Sequence, residues 1–255
     1  MNARASLSRA SLARTADSGV LILVGVLVWA AVSAWVGPHV LTGPFATLAY
    51  LGRLLPDPDF HAAAWETLRA FALAFLIAAS AGLAIGILLG ANRVSGAVAE
   101  PILTTLYSVP KITLYPVILL FFGLGISARV AFGAIHGVVP VILFTMAAVR
   151  GIRPVHFRTA HAMGLSPVAR ACRIVLPACL PGIVSGLRVG FSLTLLGTLI
   201  GEMFASQRGL GRMTITAMEN DNTQLLIALA LLLFVIATLA GWLLLALDRH
   251  LHRFA

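Results

Sequence analysis

Residues 158–177 read RTAHAMGLSPVARACRIVLP, the longest stretch of the chain without a run apolar enough to enter a bilayer. It carries Arg158, Arg170 and Arg173 with no acidic residue, and strongly apolar segments flank it on both sides. Gly164 is followed by nine residues, then Ile174, one residue, Leu176 and Pro177, a spacing of G-x9-I-x-L-P. Each type has a local reason. Gly164 permits a turn conformation that other residues resist. Ser166 suits a helix cap and Pro167 the first position of a second short helix. Pro177 and Pro181 are expected to limit how far that helix runs. A loop of this length inside a compact membrane protein is uncommon without a function.

The rest of the chain identifies the medium. Of 255 residues, 60% are hydrophobic and 11% charged, and the mean hydropathy is +0.98. A soluble fold cannot hide that much apolar surface, whereas a bilayer solvates it. The expected class is an all-α polytopic membrane protein. The net charge of +9 is spread over the ends of apolar runs, with no dense basic cluster and no aromatic interleaving, so nucleic acid is not an expected partner. Cys172 and Cys179, seven apart, have no C-x-x-C pattern and no His/Cys partners, so no metal is expected. On a cytoplasmic loop they are reduced thiols.

Six apolar runs follow in order. Residues 1–18 form a basic tail with Arg4, Arg9 and Arg14, and 19–40 a first span. Basic tail plus apolar run also describes a signal peptide, but the run is longer than a usual signal core. After an outer loop at 41–60, a second span covers 61–90, with Gly82, Gly86 and Gly90 as a smooth ridge for close helix packing. A short inner loop at 91–98 leads to a third span at 100–124, opened by Glu100-Pro101. Pro110 and Pro116 interrupt this span, and Lys111 lies near its middle. A lysine there implies a broken helix lining a water-filled path, or a snorkelling or locally paired side chain. The fourth span, 128–149, contains Pro140 and His136, the latter expected to be structural. The central loop runs 150–181, and the fifth span, 182–204, repeats small residues at Gly182, Gly186, Gly190, Gly197 and Gly201. An outer loop at 206–222 with Gly209-Leu-Gly211 precedes a sixth span at 223–247 and an inner tail. Alternating sides places eleven arginines, among them Arg4, Arg93, Arg150, Arg249 and Arg253, on the N-terminal side. Four fall opposite, namely Arg53, Arg129, Arg208 and Arg212. Positive charge stays in the cytoplasm, so both termini and the central loop face inward.

The central loop resembles the cytoplasmic "EAA" loop of permease subunits of ABC importers. Further stretches are similar to the sulfonate, taurine and nitrate branch of that family. They are SVPKI at 108–112, LFFGLG at 120–125, LPACLPGI at 176–183 with GLR at 186–188, and EMF at 202–204 with GLG at 209–211. The resemblance covers about residues 60–245, with 19–40 as an extra first helix. One departure stands out. The Glu-Ala-Ala positions fall on Arg158, Thr159 and Ala160, so only the second alanine is kept and the first charge is inverted. A compensating acidic or neutral residue is then expected on the partner.

The resemblance implies a type I ABC importer permease fold in a bacterial inner membrane, working as a homodimer. It also implies a small, anionic nutrient delivered by an external binding protein. Two copies of a separate ATPase would dock on Arg158, Thr159, Ala160, Gly164, Leu165, Ser166, Pro167, Ile174, Leu176 and Pro177. ATP and Mg would sit on that ATPase, since the chain has no G-x-x-x-x-G-K-[ST] loop, and this chain would bind no cofactor and catalyse nothing itself. Pro110, Lys111, Arg188 and Glu202 are the candidates for lining the path. Importers of a pyrimidine or thiamine precursor share these motifs. A secondary transporter would need intramembrane carboxylates, whereas Glu66, Glu100 and Glu202 lie near span ends. A membrane enzyme would need clustered acids and histidines.

Overall fold

The computed structural model describes residues 2–251, with the side chains of residues 2–18, 157, 161, 167, 168, 171, 205 and 247–251 excepted. Of the tails expected at 1–18 and 248–255, the backbone at 2–18 and 248–251 is helical, while their side chains, residues 1 and 252–255, and the side chain of Pro167 lie outside the described parts. Among the described residues all regular structure is helical. Five helices are long and apolar enough to cross a membrane, and a bent pair makes a sixth span.

One unit comprises the chain up to Asp57 together with Thr216–Leu232. Helix α1 (Asn2–Val36) contains the first span, Gly19–Val36. It stops four residues earlier than expected, because Gly37 takes φ +89° and Pro38 follows. The segment expected as an outer loop instead holds α2 (Pro44–Leu54), started by Pro44 at its N-terminus. Trp29 Nε1 donates to the Thr42 carbonyl (3.0 Å), and Thr223 Oγ1 to that of His39 (2.8 Å).

The other unit comprises Pro58–Ile215 and the chain from Leu233. Helix α3 (Pro58–Ala91) is the second span. The expected inner loop at 91–98 shrinks to Asn92, whose side chain accepts from Val94 N and Ser95 N (3.0 and 3.1 Å) and caps α4 (Arg93–Ser108). Glu100-Pro101 therefore does not open a helix, and Pro101 sits inside α4. At Pro110 the span breaks. Proline holds Val109 extended (φ −65°, ψ 132°), and a 3-10 turn at Lys111–Leu114 redirects the chain into α5 (Tyr115–Phe122) at 84°.

Helix α6 (Ile126–Arg150) is the axis of this unit. The central loop forms α7 (Pro154–Ala162), α8 (Pro167–Arg170) and a π-helical turn at Ala171–Val175. This turn runs directly into α9 (Leu176–Ala205), so the fifth helix starts before 182 and Pro181 lies within it rather than ending anything. The expected outer loop at 206–222 contains α10 (Leu210–Glu219), and α11 (Thr223–Leu251) is the sixth span.

Two glycine ridges explain the core. A Cβ on Gly82, Gly86 or Gly90 would stand 2.6–2.7 Å from the Cβ of Val141, Thr145 or Val149, so α3 runs parallel to α6 at backbone contact. On the other side Gly182, Gly186 and Gly190 meet Ala148, Phe144 and Val141 at 2.5–2.7 Å, which makes α9 antiparallel. Lipid tails supply no hydrophobic drive between helices, so dispersion at such close approach holds them together.

Candidate functional site

Two sites close the ends of the α3–α6–α9 core. At one end the central loop is a helical elbow. Helix α7 is finished by Gly164 in the left-handed region (φ +63°), where Leu165 N reaches back to the Ala160 carbonyl (3.1 Å) in a Schellman closure. Ser166 caps the next helix, accepting from Ala169 N at 3.2 Å. Ala160, the one kept position of the motif, is buried, Leu165 and Ile174 are half-buried, and Arg158, Thr159, Gly164, Ser166, Leu176 and Pro177 are exposed. Val155 and Met163 add exposed apolar surface on the same elbow. The elbow is bolted to the spans by a buried cluster of Ile152, Cys179 and Ile183, with Val175, Ala148 and Val149 packed on it. Arg150, at the end of α6, is tied to Glu100 of α4 at 2.6 Å, while Arg153, Arg158 and Arg173 are exposed.

At the opposite end lies a buried charge knot that the sequence reading did not assemble. Glu202 is fully buried. Its carboxylate accepts from Thr67 Oγ1 (2.8 Å), Gly211 N (3.0 Å) and Arg129 Nη1 (3.4 Å). Arg129 also pairs with Glu66 at 3.4 Å and donates to the Gly125 carbonyl at 3.3 Å, while Thr67 Oγ1 accepts from Leu210 N at 2.8 Å. One guanidinium thus serves two acids, joining α3, α6, α9 and the start of α10. Gly209 (φ +119°) and Gly211 are required because a Cβ on either would strike Glu202, and one on Gly211 the Leu199 carbonyl as well. Arg129 is 6% exposed and so is no loop charge of the outer side. The acids Glu66 and Glu202 converge on a cation rather than standing apart at span ends.

The expected path-lining residues separate. Glu202 leaves no surface toward a path. Lys111 is buried too, and its Nζ donates to the Tyr107 carbonyl (3.1 Å) while lying 5.2 Å from the Tyr107 ring centroid. It satisfies a carbonyl freed where α4 ends, which is the local alternative. Pro110 is exposed at the break, and Arg188 is half-buried on α9. His136 is structural, its Nδ1 2.9 Å from the Phe132 carbonyl and its ring filling the space opposite Gly197.

Close-packed spans, a proline-broken third span and a helical elbow between the fourth and fifth define a polytopic inner-membrane permease of the type I ABC importer fold. Residues 82–253 match the family described as the binding-protein-dependent transport system inner membrane component, and the chain belongs to that family. It is 29% identical over 180 residues to a Bacillus subtilis (strain 168) permease, SsuC, named for aliphatic sulfonates transport. That match covers 71% of this chain and 65% of the relative, just under two thirds of its length. It is 28% identical over 200 residues to the taurine transport system permease protein TauC of Escherichia coli (strain K12), covering 77% and 73%. Its fold is similar to that of the inward-facing MetNI methionine ABC transporter, with a TM-score of 0.66 at 20% identity over 74% of this chain and 94% of that one.

Proposed function

We propose that this chain forms the translocation path of an ATP-driven importer for a small anionic nutrient of the sulfonate, taurine or nitrate kind. An external binding protein delivers the cargo, and a separate ATPase, carrying ATP and Mg, docks on residues 150–181. Two copies of the permease pair with two of the ATPase. The observation that carries this reading is the elbow. Its exposed face of Arg158, Thr159, Met163 and Ser166 is held rigid by the Gly164 closure and rooted in α6 and α9 through Ile152, Cys179 and Ile183. A push on such an elbow moves both helices as a body, since their glycine ridge allows no slack. The anionic character of the cargo is supported by the sulfonate and taurine permeases among the relatives.

The test is capture of an ABC ATPase subunit co-expressed with this chain. Gly164→Val, which the left-handed region excludes, is expected to lose the ATPase while the permease still elutes as the parent does. Gly164→Asn, tolerated there, is expected to keep it. Equal capture by the parent and Gly164→Val sinks the docking site, and uptake by the permease without ATPase sinks the importer reading.

A further inference from the structure

Arg188 lies within the Cys172–Phe204 span. Among the described residues no hydrogen bond or ion pair holds its guanidinium. Of the other cations in the spans, Arg129 pairs with Glu66 and Glu202, Arg150 with Glu100, and Lys111 sits on the Tyr107 carbonyl, while Arg69, Arg93 and Arg173 are exposed where Arg188 is half-buried. Arg188 instead borders an open cleft of about 510 Å³ between α4, α9 and α11, where Tyr107, Ser192 and Thr238 stand in a mainly apolar lining that includes Leu193, Trp242 and Leu245, with Gly241 on the α11 side. Three of these bring hydroxyls, and Gly241 leaves the α11 side open, with no atom within 4 Å of where its Cβ would be. Tyr107 is next to the last residue of α4, so the cavity opens where the third span breaks.

A guanidinium inside a membrane span needs a counter-anion. A second copy of this chain offers none from its described spans, because Asp59, Glu66, Glu100 and Glu202 are each already engaged. We propose that this cavity is an oxyanion-binding station of the permease itself. Arg188 forks onto two oxygens of a sulfonate-class head group, and the hydroxyls of Tyr107 and Thr238 are at hand for the third, while that of Ser192 is held by the Arg188 carbonyl (3.3 Å). Planar, two-pronged donation is what arginine does best against such groups. The inference rests on the importer reading for the identity of the cargo, but not for the binding itself.

The probe is ethanesulfonate, titrated against the full chain in dodecyl maltoside and followed by saturation-transfer NMR. A saturable signal displaced by nitrate but not by choline chloride is expected. Arg188→Gln is expected to weaken it at least about tenfold, Arg188→Lys to weaken it less, and Gly241→Leu, which fills the cavity without touching the charge, to abolish it. All three should elute and unfold as the parent does. Unchanged affinity in Arg188→Gln overturns the proposal. So does a signal from dihexanoylphosphatidylglycerol with none from ethanesulfonate, which would make Arg188 a lipid anchor. ATPase capture on the same samples separates the two readings. Capture without Arg188-dependent binding removes only this inference, and binding without capture removes only the importer.

Discussion

Gly86→Ala is expected to destabilise the permease although it adds one methyl group and improves local helix propensity. The new Cβ would stand 2.6 Å from Thr145 Cβ and 2.9 Å from the Ile142 carbonyl oxygen. Carbon pairs settle at about 3.5–4.0 Å, so α3 and α6 must part by about 1 Å at this level. A gap of that size forfeits roughly a quarter to a half of the dispersion well at each neighbouring contact. Neither obstacle is the far end of a flexible side chain, so the strain cannot be relieved by a rotamer change. Overpacking of this kind costs about 1–3 kcal/mol, a fall of several degrees in the unfolding midpoint. The assay is thermal unfolding in detergent, followed by the loss of the monodisperse peak. Gly82→Ala combined with Gly86→Ala is expected to cost less than the sum, because one parting of the helices relieves both clashes. Gly25→Ala is the control. Nothing lies within 4 Å of its Cβ position, so alanine's propensity advantage of about 1 kcal/mol should leave the midpoint equal or higher. If Gly86→Ala unfolds with the parent, or Gly25→Ala falls as far, the glycine ridge does not hold these helices.

Three further outcomes follow from the two ends of the core and the break between them. Glu202→Gln keeps the shape but leaves Arg129 with Glu66 alone, and a loss of about 3 kcal/mol is expected in the same unfolding assay. Glu100→Gln removes an ion pair whose carboxylate side chain is 56% exposed, and a change below about 1 kcal/mol is expected. Lys111→Met leaves the Tyr107 carbonyl without its donor and is expected to cost about 1–3 kcal/mol. Lowered uptake at unchanged stability would instead return Lys111 to the path.

What could be read along the chain was whatever local composition decides. A run such as 61–90 is apolar enough to be solvated by lipid whatever surrounds it, so the spans were legible, and so was the break, because Pro110 acts on its own neighbours. The glycine periods at 82–90 and 182–190 announced close packing. The elbow was legible for the same reason, since Gly164 and Ser166 exert their conformational effects within five residues. Helices α2 and α10 fall in stretches expected as outer loops, since Pro44 and Gly209 are of types common in turns yet here stand at or just before a helix start.

The sequence by itself determined the solvent, the number of spans, the broken third span and the left-handed corner of the elbow, all of them consequences of residues acting on adjacent backbone. Only the tertiary structure decided that α6 is the helix both glycine ridges grip, and that Arg129 turns inward to join Glu66 and Glu202. It alone left Arg188 facing a cavity without a partner. Thr67 and Glu202 are 135 residues apart. A charge in a span is tolerable or not according to what is packed against it, and that depends on which distant residues the close approach of three helices brings within reach.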